Sequence, residues 1–175
     1  MTGLVHIYTG DGKGKTTAAM GLGLRCAGRL KKVVCVQFLK CSDTGEIFST
    51  QKLDGFFEIH RFEKPHKFFW LMNDDEKKEL KKDTQKALDF CLEILKKDEC
   101  QMLILDEIFG CVSNELVKEE DVLNLINAKN TETELVLTGR NAPQKIIDAA
   151  DYVSEIRCIK HPAQSGTLAR EGIEY

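Results

Sequence analysis

Short apolar runs alternate with longer amphipathic stretches along this chain. Leu4-Val5-His6-Ile7-Tyr8, a Gly-rich turn and Ala18-Ala19-Met20-Gly21-Leu22 read as strand, loop and helix. Val33-Val34-Cys35-Val36-Gln37-Phe38 and Phe56-Phe57-Glu58-Ile59-His60-Arg61-Phe62 read as a second and a third strand, joined by a polar, Gly-containing connection. Asn73, with Asp74, Asp75 and Glu76 behind it, has the form of a helix start, and the helix it opens runs to about Lys97. Leu80, Thr84, Leu88, Cys91 and Leu95 give that helix one apolar stripe. Met102-Leu103-Ile104-Leu105 leads into Asp106-Glu107 as a strand, and Glu119 to Ala128 is helical. Glu134 to Thr138 is a strand, a short helix starts near Pro143, and Tyr152 to Ile156 closes the pattern.

Strands alternating with helices predict an α/β fold: a mostly parallel sheet with helices on both faces and its ligand at the carboxyl ends of the strands. Thr9, Asp106 and Thr138 would gather there. No repeat, linker or low-complexity segment divides the 175 residues, so 1–175 reads as a single domain.

The turn after the first strand, Thr9 to Thr17 (TGDGKGKTT), has the composition of a phosphate-binding loop. Gly14, Lys15 and Thr16 fill the second half of G-x-x-x-x-G-K-[ST], and Thr9 stands where the first glycine belongs. Gly10, Gly12 and Gly14 are expected to take positive φ and turn their N–H groups toward a polyphosphate at the positive end of a helix. Lys15 supplies a point charge and Thr16 a hydroxyl for Mg²⁺. Such a site needs an acidic residue at the end of a buried strand. Asp106 and Glu107 both qualify, and because the chain leaves the sheet there, strand alternation leaves open which one faces the metal.

Composition narrows the function classes. A formal charge of −3, with 42% apolar and 30% charged residues, is ordinary for a globular protein and argues against a broad nucleic-acid footprint. Lys77-Lys78 and Lys81-Lys82 lie among acids and read as a solvated helix face. Seven cysteines, an odd number without a C-x-x-C pair, suggest neither a disulfide framework nor a zinc site and fit a reducing cytoplasm. With no signal-like N-terminus and no apolar stretch of spanning length, a soluble intracellular protein without membrane contact is expected.

Several segments together resemble the P-loop corrinoid adenosyltransferases over nearly the whole chain. They are the loop at Thr9–Thr17 with Arg25 beyond it, Gln37-Phe38, Leu105-Asp106-Glu107, Leu137 to Pro143 (LTGRNAP), Ala149-Ala150-Asp151, Lys160-His161-Pro162 and Ala169 to Tyr175 (AREGIEY). Thr9 in place of glycine is that family's form, and the terminal string is the most discriminating part. The resemblance implies a single-domain P-loop NTPase (RecA-like) fold. It also implies transfer of the 5′-deoxyadenosyl group of ATP to the Co(I) of a corrinoid, with release of the whole triphosphate.

Residue roles follow from the same resemblance. Gly10, Asp11, Gly12, Lys13, Gly14, Lys15, Thr16 and Thr17 would wrap the triphosphate, with Lys15 the charge partner of the leaving group. Thr16 and Glu107 would hold Mg²⁺, or Mn²⁺ in its place. Arg25 would sit near the nucleotide, and Arg140 would contact phosphate or ribose. Phe68 and Trp70 have the spacing of an aromatic pair that displaces the lower axial ligand of Co(II); without the family, the cluster Phe68-Phe69-Trp70 reads as core packing. Glu63-Lys64-Pro65-His66-Lys67 is more charged than the Gly-rich stretch the family shows there. Asp11 stands where Asn is common, a charge that Lys13 would offset, and the N-terminal extension of larger members is lacking. His66 and His161 read as structural rather than as axial ligands, His161 ending a strand. The implied partners are ATP, a reduced corrinoid, an electron donor such as a flavoprotein and a second copy in a homodimer. The alternatives are a P-loop ATPase or kinase acting at the γ-phosphate and a nucleotide sensor whose tail docks a partner.

Overall fold

The computed structural model describes residues 2–40, 43–64 and 67–175; His66 and Cys41 lie outside the described residues. Six strands form one sheet: β1 (Val5–Thr9), β2 (Val33–Gln37), β3 (Phe57–His60), β4 (Met102–Asp106), β5 (Glu134–Thr138) and β6 (Tyr152–Glu155). Their order is β3-β2-β4-β5-β1-β6, and every neighbouring pair is parallel. Parallel neighbours require crossovers, and helices supply them. These are α1 (Lys15–Ala27), α2 (Gly45–Thr50), α3 (Asp74–Lys97), α4 (Ile108–Ser113), α5 (Glu119–Ala128) and α6 (Gln144–Asp148).

Side-chain alternation along the central strands divides the core between two faces. Val33, Cys35, Met102 and Ile104 pack with Ala19 and Ala27 of α1 on one side. Val34, Val36, Leu103 and Leu105 pack on the other with Leu80, Leu88, Cys91 and Leu95 of α3 and Val122 and Leu125 of α5. Because both faces are covered, β2 and β4 are buried along their entire length, which explains their unbroken apolar sequences. The stripe expected on α3 is the buried one. Its start carries a reciprocal cap: Asn73 Oδ1 accepts the Glu76 N–H at 2.9 Å, and the Glu76 carboxylate accepts the Asn73 N–H at 2.8 Å.

Four short elements escape the periodicity. The connection between β2 and β3 contains α2, too short and polar to show a stripe, and α4 is apolar almost throughout, with Ile108, Phe109 and Cys111 buried. Single 3₁₀ turns occur at Phe69–Leu71 and Pro162–Ser165. His161 does not end a strand. β6 stops at Glu155, and the His161 imidazole caps the second of these turns by accepting the Ala163 N–H at 3.1 Å. Pro143 likewise sits at the cap of α6 rather than inside its first turn.

The cysteines Cys26, Cys35, Cys91, Cys100, Cys111 and Cys158 are free thiols. Among the described residues no helix is long and apolar enough to cross a membrane.

Candidate active site

The loop between β1 and α1 is shaped by the opposite end of the chain. Gly10 takes φ 100° and Gly14 φ 120°, as anticipated for residues free of a Cβ. Gly12 behaves differently. Its N–H donates to the Ile156 carbonyl at 2.8 Å instead of pointing at a ligand, and a Cβ there would stand 2.7 Å from the Arg157 carbonyl carbon. A Cβ on Gly10 would stand 2.4 Å from the Ile156 oxygen. Both glycines therefore serve a close backbone approach by the segment leaving β6. Gly14 faces open space and is required for its φ alone.

Asp11 and Lys13 also depart from expectation. The Asp11 carboxylate accepts the Cys158 N–H at 3.1 Å, so a backbone dipole rather than Lys13 offsets its charge. Lys13 reaches the tail instead: its Nζ donates to the Ile173 carbonyl at 3.2 Å and lies 4.0 Å from the Glu174 carboxylate. Lys15 is buried and folds back so that Nζ donates to the Gly12 carbonyl at 2.8 Å. Burial lowers its pKa, with Glu107 as the strongest opposing influence.

The two acids at the end of β4 divide their roles. Asp106 is fully buried and collects donors: Thr16 Oγ1 at 2.9 Å, Thr138 Oγ1 at 2.7 Å and Gln37 Nε2 at 3.3 Å, with Lys40 Nζ at 3.7 Å. Glu107 turns out of the sheet in the left-handed conformation, φ 67°, its N–H held by Thr138 Oγ1 at 2.9 Å and its side chain lining the cavity. Burial, and then the Asp106 charge, raise its pKa.

Thr16 donates its hydrogen to Asp106, which leaves its oxygen lone pairs directed away from that acid. With the Glu107 carboxylate these are hard oxygen donors of the kind Mg²⁺ takes alongside phosphate and water. No group of three or more His, Cys, Asp or Glu that could hold a metal occurs among the described residues.

A cavity of about 760 Å³ opens over the loop. Asp11 to Thr17, Lys40, Glu46, Glu107, Arg140, His161 and Gly172 to Tyr175 all line it. Lys40 and Glu46 are contributions that sequence reasoning missed, and His161, read from sequence as structural, is part of the lining as well. Gln37, flagged only as part of a motif, ties Asp106 to Glu46 at 2.9 Å and accepts both Arg61 Nε at 2.9 Å and Nη2 at 2.7 Å. These residues meet because β2, β3 and β4 are neighbours, a fact absent from local pattern.

Four expected residues stand elsewhere. Gly10 lies outside the cavity lining. Arg25 is exposed in the last turn of α1, ten residues past Lys15 (25 − 15) and thus about 15 Å along the axis, and is not brought to the cavity. Phe68 and Trp70 are not core: they are 63% and 73% exposed and stack on each other at 4.7 Å with planes 4° apart. Phe69 between them is the inward residue, packed against the α3-side core beneath Lys77. Lys64 and Lys67 pair with Glu79 and Glu76 of α3 at 2.8 and 3.0 Å, so the charged stretch is tied to that helix.

The architecture is shared with a KaiC-like protein, PH0186, from the hyperthermophilic archaeon Pyrococcus horikoshii OT3. The TM-score is 0.56 at 18% identity over 89% of this chain and 72% of that one, a likeness of fold. Sequence relatives are nearer. The chain is 32% identical over 177 residues to the corrinoid adenosyltransferase of Escherichia coli K12, covering 99% of this chain and 86% of that protein. It is 31% identical over 175 residues to a corrinoid adenosyltransferase of Sinorhizobium sp, covering 99% and 80%. The model of the family ATP:corrinoid adenosyltransferase BtuR/CobO/CobP matches residues 1–175. A phosphate loop, Glu107 and the tail share one cavity, and the chain belongs to the ATP:corrinoid adenosyltransferase family.

Proposed function

We propose that this protein transfers the 5′-deoxyadenosyl group of ATP to the Co(I) centre of a corrinoid and releases the intact triphosphate. The observation that carries this reading over a generic ATPase is that Gly172 to Tyr175, the GIEY end of the tail, line the same cavity as the phosphate loop, although γ-phosphate hydrolysis needs no such wall.

In this reaction the electron pair of Co(I) forms a bond to C5′ while the C5′–O bond breaks, and the leaving oxygen departs with its pair. Negative charge therefore grows on the α-phosphate end of the triphosphate. Lys15, desolvated within the loop, and Arg140, which lines the same cavity, supply positive charge there. Thr16 and Glu107 would hold Mg²⁺, which supplies further charge neutralisation when bound. No side chain has to act as nucleophile or general base, because the corrinoid brings its own nucleophile. The exposed Phe68–Trp70 pair is assigned to the corrin face, where an apolar wedge removes an axial ligand from Co(II). The reading extends to a flavoprotein-type electron donor, a homodimer and the cytoplasm.

Product analysis tests it. Incubation with ATP and a chemically reduced corrinoid should yield tripolyphosphate in equal amount to the Co–C bond formed, followed by its visible absorption change. Formation of ADP and orthophosphate without that bond would replace the reading with phosphoryl transfer.

A further inference from the structure

The tail has no part in the charge chemistry of transfer, yet it is built and anchored. Gly172, at φ 73°, donates its N–H to the Tyr175 carbonyl at 2.7 Å. Glu174 closes the same turn: its N–H donates to the Arg170 carbonyl at 2.9 Å, and its carboxylate accepts the Arg170 N–H at 2.8 Å and guanidinium at 3.3 Å. The Lys13 contact to Ile173 then fixes this turn against the phosphate loop.

The lining of the cavity is divided by chemistry. Lys13, Lys15, Lys40 and Arg140 place positive charge around the loop, and the remaining residues there are glycines, hydroxyls and acids. Among the described residues, the aromatic and apolar members of the lining are His161, Ile173 and Tyr175, all from beyond β6. Ile173 and Tyr175 remain 56% and 47% exposed, so apolar area there is left for a ligand to cover.

ATP is divided in the same way, into a polyanion and a flat, uncharged purine on a ribose. Once the polyanion occupies the loop, the purine needs an apolar or planar contact, and in this cavity that contact comes from the tail side. We propose that His161, Ile173 and Tyr175 form the subsite for the adenosine half of the nucleotide, with Gly172 to Tyr175 as its wall. The assignment rests on the reading of ATP as substrate. A corrin ring is the other flat ligand available, but the stacked Phe68–Trp70 pair outside the cavity offers it a separate aromatic surface.

The test is calorimetric titration, without corrinoid, of wild type, Tyr175→Ala and Ile173→Ala with ATP and with inorganic tripolyphosphate. Each alanine variant should weaken ATP about tenfold, equivalent to about 1.4 kcal/mol, and leave tripolyphosphate unchanged, while Tyr175→Phe keeps wild-type ATP affinity. Equal loss for both ligands would overturn the proposal by making the tail a brace for the loop. No change for either would overturn it by removing the tail from the nucleotide. Wild type that binds ATP but forms no Co–C bond would refute the transfer reading alone, because the ligand ratio is measured without corrinoid.

Discussion

Thr138 sits where the two acids of the site are held, and replacing it with valine isolates that function. Its hydroxyl donates to Asp106 at 2.7 Å and accepts the Glu107 N–H at 2.9 Å, and both Thr138 and Asp106 are fully buried. Valine has nearly the same volume, so no cavity opens; the cost is the loss of hydrogen bonds. A bond to a buried carboxylate contributes about 1.5–3 kcal/mol, and an amide left without its acceptor costs about 1–3 kcal/mol. Asp106 keeps Thr16 and Gln37, and the Glu107 amide is only partly buried, so the lower half of the summed range applies, about 2.5–4 kcal/mol. At about 2–4 °C per kcal/mol for a protein of this size, the thermal midpoint should fall by roughly 5–15 °C. Urea unfolding should show a lower midpoint concentration with an unchanged slope. Adenosylation assayed well below the melting range should also fall, since the left-handed turn that presents Glu107 loses its tether, and Thr138→Ser should restore both properties. A valine variant within about 0.5 kcal/mol of wild type would refute the argument that Asp106 depends on this donor.

Three further outcomes follow from the site. Lys15→Ala should abolish adenosylation by removing a charge partner of the leaving triphosphate; turnover near wild type would take Lys15 out of the mechanism. Trp70→Ala should impair the reaction that starts from Co(II) much more than one given pre-reduced Co(I), and equal loss in the two assays would assign the exposed ring to binding alone. The Glu107 pKa is raised in the folded protein, so the fold binds this proton more tightly than the unfolded chain does. That stability is fully present below the ordinary value of 4.5 and is lost as pH rises through the raised one. Glu107→Gln should therefore flatten the loss and raise the ligand-free midpoint at pH 7 while adenosylation collapses, and a lowered midpoint would contradict the desolvation argument.

The fold was legible wherever burial imposes a period. β2 and β4 announce themselves as unbroken apolar runs because both their faces are covered, and α3 shows its stripe because one face is. α2 and α4 have too few turns for a period to develop. In the site, the loop, Lys15, Thr16 and both acids could be read directly. Which acid faces the cavity could not, because it depends on a left-handed φ at Glu107, a conformation unusual for a residue with a Cβ and dictated by the Thr138 tether. Gly12 was assigned to ligand contact because local sequence contains no sign of Ile156 and Arg157. Lys40 and Arg61 join the constellation through strand adjacency. Arg25 was carried over with its motif, whereas the rise of α1 moves it away.

The docking of Gly10 and Gly12 against the backbone at Ile156 and Arg157 bears on biogenesis. A nascent chain that has left the ribosome only as far as residue 150 already displays the complete nucleotide signature, yet nothing stands where its cradle is moulded. Substrate capture must wait for the outermost strand to emerge and add to the sheet. Premature termination in that interval would release an inert fragment with an intact fingerprint.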